Sequence, residues 1–112
     1  MVDDHLSAEL IEAVQDAKER LRARFGNRFR SLILFGSRAW GRPHPQSDVD
    51  LCIVIEGLTQ HDRSDAIEIV AGVAVDRLAP LSPLVFGSEQ LDRYLSIEYR
   101  LAEDITRRGI AL

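Results

Sequence analysis

Gly36-Ser37-Arg38-Ala39-Trp40-Gly41-Arg42-Pro43-His44-Pro45-Gln46-Ser47-Asp48-Val49-Asp50-Leu51 is the stretch on which the reading of this chain turns. Within these sixteen residues a Gly-Ser turn ends one apolar run, a loop with two prolines brings the chain back, and two aspartates one residue apart open a second apolar run. Each part has a chemical use. The backbone N–H groups of a tight turn cradle anions, guanidinium groups add positive charge, and paired carboxylates hold a divalent cation.

Working outward, Ser31-Leu32-Ile33-Leu34-Phe35 reads as a strand stopped by Gly36, and Val49, Leu51, Ile53 and Ile55 alternate with Asp48, Asp50, Cys52 and Val54 as a second strand. Alternation puts Asp48 and Asp50 on one face, their Cα atoms roughly 6.5–7 Å apart. Two like charges so placed are unfavourable without a cation, although a strand end at the surface also carries Asp-x-Asp harmlessly. Gly36 lets the backbone approach a ligand closely, and Ser37 adds a hydroxyl and an N–H. The same dipeptide recurs at Gly87-Ser88 as an ordinary helix start, so position relative to Asp48 is what sets Gly36-Ser37 apart. Arg38 and Arg42 suit phosphate oxygens, or serve only as exposed loop charges. Ser47 is a turn residue ahead of the acidic pair. Trp40 has three readings: stacking on a base, a protein interface, or packing of the turn.

The flanking elements follow from periodicity. Leu6, Leu10, Ile11, Val14, Leu21 and Phe25 make the stripe of a first helix, with Asp4 or Ser7 as cap and Gly26 as stop. A second helix is predicted over about 62–78, and a third strand over 81–86, where Pro83 implies an edge position. Ser88 is read as the cap of a third helix facing Leu91, Tyr94 and Leu95 inward, and a last helix covers about 97–108 before Gly109. The expected architecture is a single α+β domain over residues 1–112, with a short mixed sheet and helices packed mainly on one face.

At 112 residues, with 46% hydrophobic and 29% charged residues, the chain has the composition of one globular domain. The single cysteine, Cys52, excludes an internal disulfide and reads as a small core residue, and no run is apolar enough for a membrane span, so a soluble cytoplasmic protein is expected. His5, His44 and His61 lack metal-ligand spacing. Net charge is −4, so no direct DNA binding is expected, but from Lys18 to Arg42 eight basic residues face Glu19 alone. That segment carries +7 and leaves −11 elsewhere. Such a split suits a polyanionic ligand or an acidic partner, or only solvates the surface and complements a helix C-terminus.

The pattern Gly-Ser, ten residues, Asp-x-Asp resembles the polymerase-β-like nucleotidyltransferase superfamily, and residues 31–55 look like its minimal nucleotidyltransferase branch. Gly36, Ser37, Arg38, Gly41, Ser47, Asp48, Asp50 and Leu51 carry the resemblance, and Ser88-Glu89-Gln90-Leu91 and Arg108-Gly109-Ile110 extend it towards the end of the chain. It implies a nucleoside triphosphate, expected to be ATP, gripped by Gly36, Ser37, Arg38, Arg42 and Ser47. It further implies Mg²⁺ on the catalytic pair Asp48 and Asp50, and attack on the α-phosphorus with loss of pyrophosphate. Related bacterial domains act as antitoxins of HEPN ribonuclease toxins, some by transferring AMP to a toxin tyrosine, which makes a HEPN-type protein the expected partner; a homo-oligomer stays open. One departure stands out. The family's third carboxylate, on the next strand, aligns with Ser82, and the nearest upstream acid, Asp76, requires a shifted register. The competing reading is therefore a binding module that keeps the fold and neutralises a toxin by contact alone.

Overall fold

The computed structural model describes residues 6–36, 38–39 and 48–112. Helix α1 (Ala8–Phe25) starts at Ser7, whose hydroxyl accepts the Leu10 N–H at 3.3 Å, and stops at Gly26, which takes φ 58°. Its buried residues, Ala13, Val14, Ala17, Leu21 and Phe25, recur at helical spacing along one face. A single 3₁₀ turn (Gly26–Arg28) then feeds strand β1 (Phe29–Phe35).

Strand β2 (Val49–Ile55) runs antiparallel to β1, and strand β3 (Leu81–Gly87) runs parallel to β2 after the crossover helix α2 (Gln60–Asp76). Helices α3 (Ser88–Ser96) and α4 (Arg100–Arg108) follow, and strand β4 (Ile110–Ala111) closes on the free side of β1. The sheet order is β3-β2-β1-β4, which makes it mixed and puts β3 at an edge. Pro83 sits on that edge strand, where its missing N–H costs no ladder bond on the open side.

Both faces of β2 are buried, and this decides the layers. Val49, Leu51, Ile53 and Ile55 pack with Val14, Leu21, Phe25, Ala66 and Val70 under the two long helices, α1 and α2. Cys52 and Val54 point the other way, into a smaller core of Phe86, Leu91, Ala102 and Ile105 under the two short helices. The expected α+β domain is present, with its longer helices on one face and a second, thinner cover on the other.

Of the boundaries that moved from those expected, three have a clear local reason. Helix α2 begins two residues early because Thr59 caps it, accepting the Asp62 N–H at 3.0 Å while Asp62 accepts the Thr59 N–H at 3.1 Å. Ser88 is not a cap but the first helical residue; Gly87 holds the cap position and its N–H donates to Gln90 Oε1 at 3.3 Å. The final helix starts at Arg100 rather than 97, because Glu98 takes φ 57° and turns the chain between α3 and α4.

The basic run is largely answered within the fold. Arg20 pairs with Asp16 at 3.0 Å and Asp76 at 3.2 Å, Arg24 with Asp65 at 2.8 Å, Arg30 with Glu56 at 2.6 Å, and Arg28 with the buried Asp62. These pairs tie α1 and the 3₁₀ turn to α2 and to the end of β2. Among the described residues no helix is long and apolar enough to cross a membrane.

Candidate nucleotide and metal site

The end of β1 and the start of β2 meet because the two strands pair in register to their tips, Phe35 opposite Asp50. On the other side the parallel ladder puts Ser82 opposite Asp50, and a bond of 2.7 Å from the Val49 N–H to the Pro80 carbonyl locks β3 beside the acidic pair. This anchoring role of Pro80 depends on a strand pairing that no local pattern announces. Asp48 is exposed, and Asp50, one pleat before the buried Cys52, is partly buried.

Gly36 has two reasons to be glycine. Its φ of 79° lies in the left-handed region, and a Cβ built on it would overlap Oδ2 of Asp50. The turn that follows is closed by the Ala39 N–H, which donates to the Gly36 carbonyl at 3.1 Å. The Asp50 carboxylate thus lies directly against the backbone where the Gly-Ser turn begins. Its pKa is raised above the ordinary carboxylate value, first by burial and then by the charge of Asp48.

A hard divalent cation fits this donor set. Two carboxylates offer oxygen ligands, Asp50 is partly buried at the start of β2, and glycine at position 36 leaves room that a side chain would fill. The third member of such a shell is absent from this part of the sheet: Asp50 is flanked by Phe35 and Ser82, and among the described residues no three metal-ligating side chains gather. Asp76 does not supply it. That residue ends α2, on the opposite layer from the Asp50 side chain, and its carboxylate is bound to Arg20.

Of the residues singled out in sequence, Gly36, Asp48 and Asp50 come together at one end of the sheet. Ser37, Arg42 and Ser47, along with Trp40, Gly41 and His44, lie outside the described residues. Arg38 is buried, with only 5% of it exposed, which sets aside the alternative that it is merely an exposed loop charge. His61 is exposed and sits 3.4 Å from Asp65, away from any metal set. Cys52 is a core residue, as its apolar setting implied, and burial pushes its thiol up to about 12. Tyr94 packs edge-on against Phe86 at 5.7 Å and on Tyr99 at 5.0 Å.

Comparison with known proteins places this geometry in context. The model of the nucleotidyltransferase domain family matches residues 14–105. A comparison with curated protein sequences finds no match. Among solved structures, a candidate minimal nucleotidyltransferase aligns over 96% of this chain and 98% of its own length, with 26% identity and a TM-score of 0.61. A toxin–antitoxin structure solved with AMP-PNP aligns over 87% of this chain and 70% of its own, with 17% identity and a TM-score of 0.56. The toxin–antitoxin MntA-HpeT, in a form with two Asp→Glu substitutions one residue apart, aligns over 84% and 68%, with 16% identity and a TM-score of 0.55. The last two likenesses speak for the fold. With the match extending over most of its length and Asp50 set against the glycine turn, the chain belongs to the nucleotidyltransferase domain family.

Proposed function

We propose that this domain is a Mg²⁺-dependent nucleotidyltransferase that takes ATP and transfers AMP to a protein acceptor, as the antitoxin of a HEPN-type toxin. The observation that carries the reading is the contact of Asp50 with the backbone of Gly36, which sets a carboxylate against an anion-binding turn. A phosphate held at that turn would be repelled by the carboxylate unless a cation lay between them, which is why the reading includes a bound ion. The AMP-PNP in one structural neighbour and the toxin–antitoxin pairing in two of them support the choice of nucleotide and partner.

In this reading Asp48 and Asp50 hold the ion, the turn at Gly36 and Ser37 cradles the polyphosphate, and Arg38, Arg42 and Ser47 complete the phosphate contacts. The ion supplies charge neutralisation for an in-line displacement. The acceptor hydroxyl releases its proton to solvent water as its oxygen bonds to the α-phosphorus, while the bond from that phosphorus to the bridging oxygen breaks and pyrophosphate leaves. Most of the rate comes from holding the two reactants in line. Incubation with the candidate toxin, Mg²⁺ and ATP labelled at the α-phosphate is expected to label the toxin, and Asp48→Asn to abolish the label. Labelling that survives the substitution contradicts the mechanism.

A second reading is favoured by Ser82. Its hydroxyl is neutral and a poor base, and it stands directly beside Asp50 where a carboxylate would complete the charge. A domain that binds nucleotide or toxin without turnover fits that position. Mg²⁺-dependent ATP binding with no transferred label distinguishes it from the enzyme.

A further inference from the structure

We propose that the uncovered edge of β1 is a docking site for an extended, acidic segment of a partner protein, which adds to the sheet as a strand beside Lys18 and Arg22. The site is separate from the aspartate pair and does not depend on the nucleotide reading.

The edge is open because β4 is short. β4 pairs with Ile33 and Leu34, and the Leu112 N–H donates to the Leu32 carbonyl at 2.8 Å, so among the described residues no strand lies on that side of β1 from Phe29 to Ser31. This is the end of β1 away from Phe35, the residue that faces Asp50. A cavity of about 290 Å³ lies there, bounded by β1, the end of β4 and α1. The pairing of β1 with β2 shifts between Phe29 and Ser31, and a bulge of this kind re-aims side chains. Phe29 and Leu32 accordingly both turn into the core under α1 and give the cavity an apolar wall.

Charge then selects the occupant. Lys18, Arg22 and Arg30 line the cavity, and no acidic side chain does. Arg20, Arg24, Arg28 and Arg30 are each answered by a carboxylate within the fold. Lys18 and Arg22, one helical turn apart on α1, are not: Lys18 donates to the Leu112 carbonyl, and Arg22 lies 5.8 Å from the centre of the Phe29 ring with no carboxylate partner among the described residues. An open strand edge offers main-chain groups to any extended chain, so the cations decide which chain stays. A second copy brings the same cations and is repelled, and a neutral strand covers Arg22 without pairing it. An acidic strand satisfies both the ladder and the charge. Nucleic acid matches the charge but has no use for the strand edge or the apolar wall.

The test uses the full chain and a fluorescein-labelled octapeptide in which glutamate alternates with valine, followed by fluorescence anisotropy and by ¹⁵N–¹H NMR spectra. Saturable binding is expected, with the largest shifts at the amides of Phe29 to Leu32 and of Ala111, and with the same strength whether or not ATP and Mg²⁺ are present. Arg22→Glu is expected to weaken binding at least about tenfold, on the scale of close charge pairs across an interface, and Arg22→Ala by less. Arg22 is exposed, so both variants are expected to fold, which circular dichroism checks. The same peptide with lysine for glutamate is expected not to bind, and N-methylation of alternate peptide nitrogens, which blocks strand pairing, to weaken binding by a similar factor. Binding that Arg22→Glu or N-methylation leaves unchanged overturns the proposal, as does failure to saturate by about 1 mM peptide, the weak end of specific affinity. Tighter binding of an octanucleotide at the same amides, or a dimer of the chain that Arg22→Glu breaks in sedimentation, gives the edge to another occupant and also overturns it.

Discussion

Gly36 and Gly87 begin the same dipeptide, Gly-Ser, at opposite ends of the β2–β3 pair, and the fold uses them differently. Gly87 has φ −73°, an ordinary value, and an added Cβ would meet the Cβ of Leu58 at 3.3 Å, a contact that a small shift relieves. Gly36 has φ 79° and a carboxylate in the place a Cβ would take. The carboxylates nearby differ in the same sense. Asp62, in the capping box of α2 beside the Gly87 end, is paired with Arg28 and bonded to Thr59, and its pKa falls to about 2. Asp50, beside Gly36, has a raised pKa. At one end of the sheet an arginine and a threonine hold the carboxylate in its charged form, and at the other burial and a neighbouring aspartate disfavour it.

The sharpest way to break the comparison is to substitute both glycines. Gly36→Ala is expected to lose MgATP-dependent labelling by roughly 10²-fold or more, because the methyl group displaces Asp50 and a misplaced catalytic group costs about that much. It also forces a left-handed backbone on alanine, at about 1–2 kcal/mol. Gly87→Ala is expected to keep activity within about threefold and to shift stability by under about 1 kcal/mol, as a glycine cap without strain permits. Similar losses in both variants, with circular dichroism showing both folded, would erase the distinction.

Asp50→Asn asks whether the charge of this carboxylate is what matters. A carboxyl whose folded pKa is raised stabilises the fold while protonated, below its unfolded value, and that contribution is lost as pH rises through the folded value. At neutral pH and without divalent ions, Asp50→Asn is therefore expected to raise Tm, while abolishing the stabilisation that Mg²⁺ with ATP gives the wild type. A fall in Tm under those conditions contradicts the assignment.

Asp62 runs the opposite way. Its depressed pKa contributes stability above the unfolded value of about 3.9, and that contribution disappears as pH falls through about 2. Thermal melts of wild type and Asp62→Asn should differ at pH 7, with wild type higher, and converge towards pH 2. The smallest effect is expected midway along β2. Cys52, fully buried with its thiol near 12, should resist alkylation at pH 8 in the folded protein and react at once in denaturant.

Much of this was legible in the chain because the signals are local. Ser7 and Gly26 bound α1, the alternation from Val49 to Ile55 marks β2, and Pro83 demands the edge position that β3 takes. Gly36, Asp48 and Asp50 could be grouped because one hairpin-like return joins them. What sequence could not deliver depends on distant partners. Composition counts the basic run from Lys18 as a +7 surplus, but only the packing of α1 on α2 reveals Asp62, Asp65 and Asp76 opposite its arginines. The left-handed Glu98 that divides α3 from α4 has no glycine to announce it, and β4 is two residues long. The burial of Arg38 likewise depends on how the turn after β1 packs. In sequence only the family resemblance marks Ser82; the β2–β3 register sets it directly beside Asp50.

Isothermal titration of ATP, in the presence and absence of Mg²⁺, into wild type, Asp50→Asn and Gly36→Ala tests the central claim, that the carboxylate against Gly36 builds the nucleotide–metal site. Saturable binding that requires Mg²⁺ in wild type and is lost in both folded variants is the expected result. Binding of equal strength in all three proteins, or binding indifferent to Mg²⁺, would contradict it.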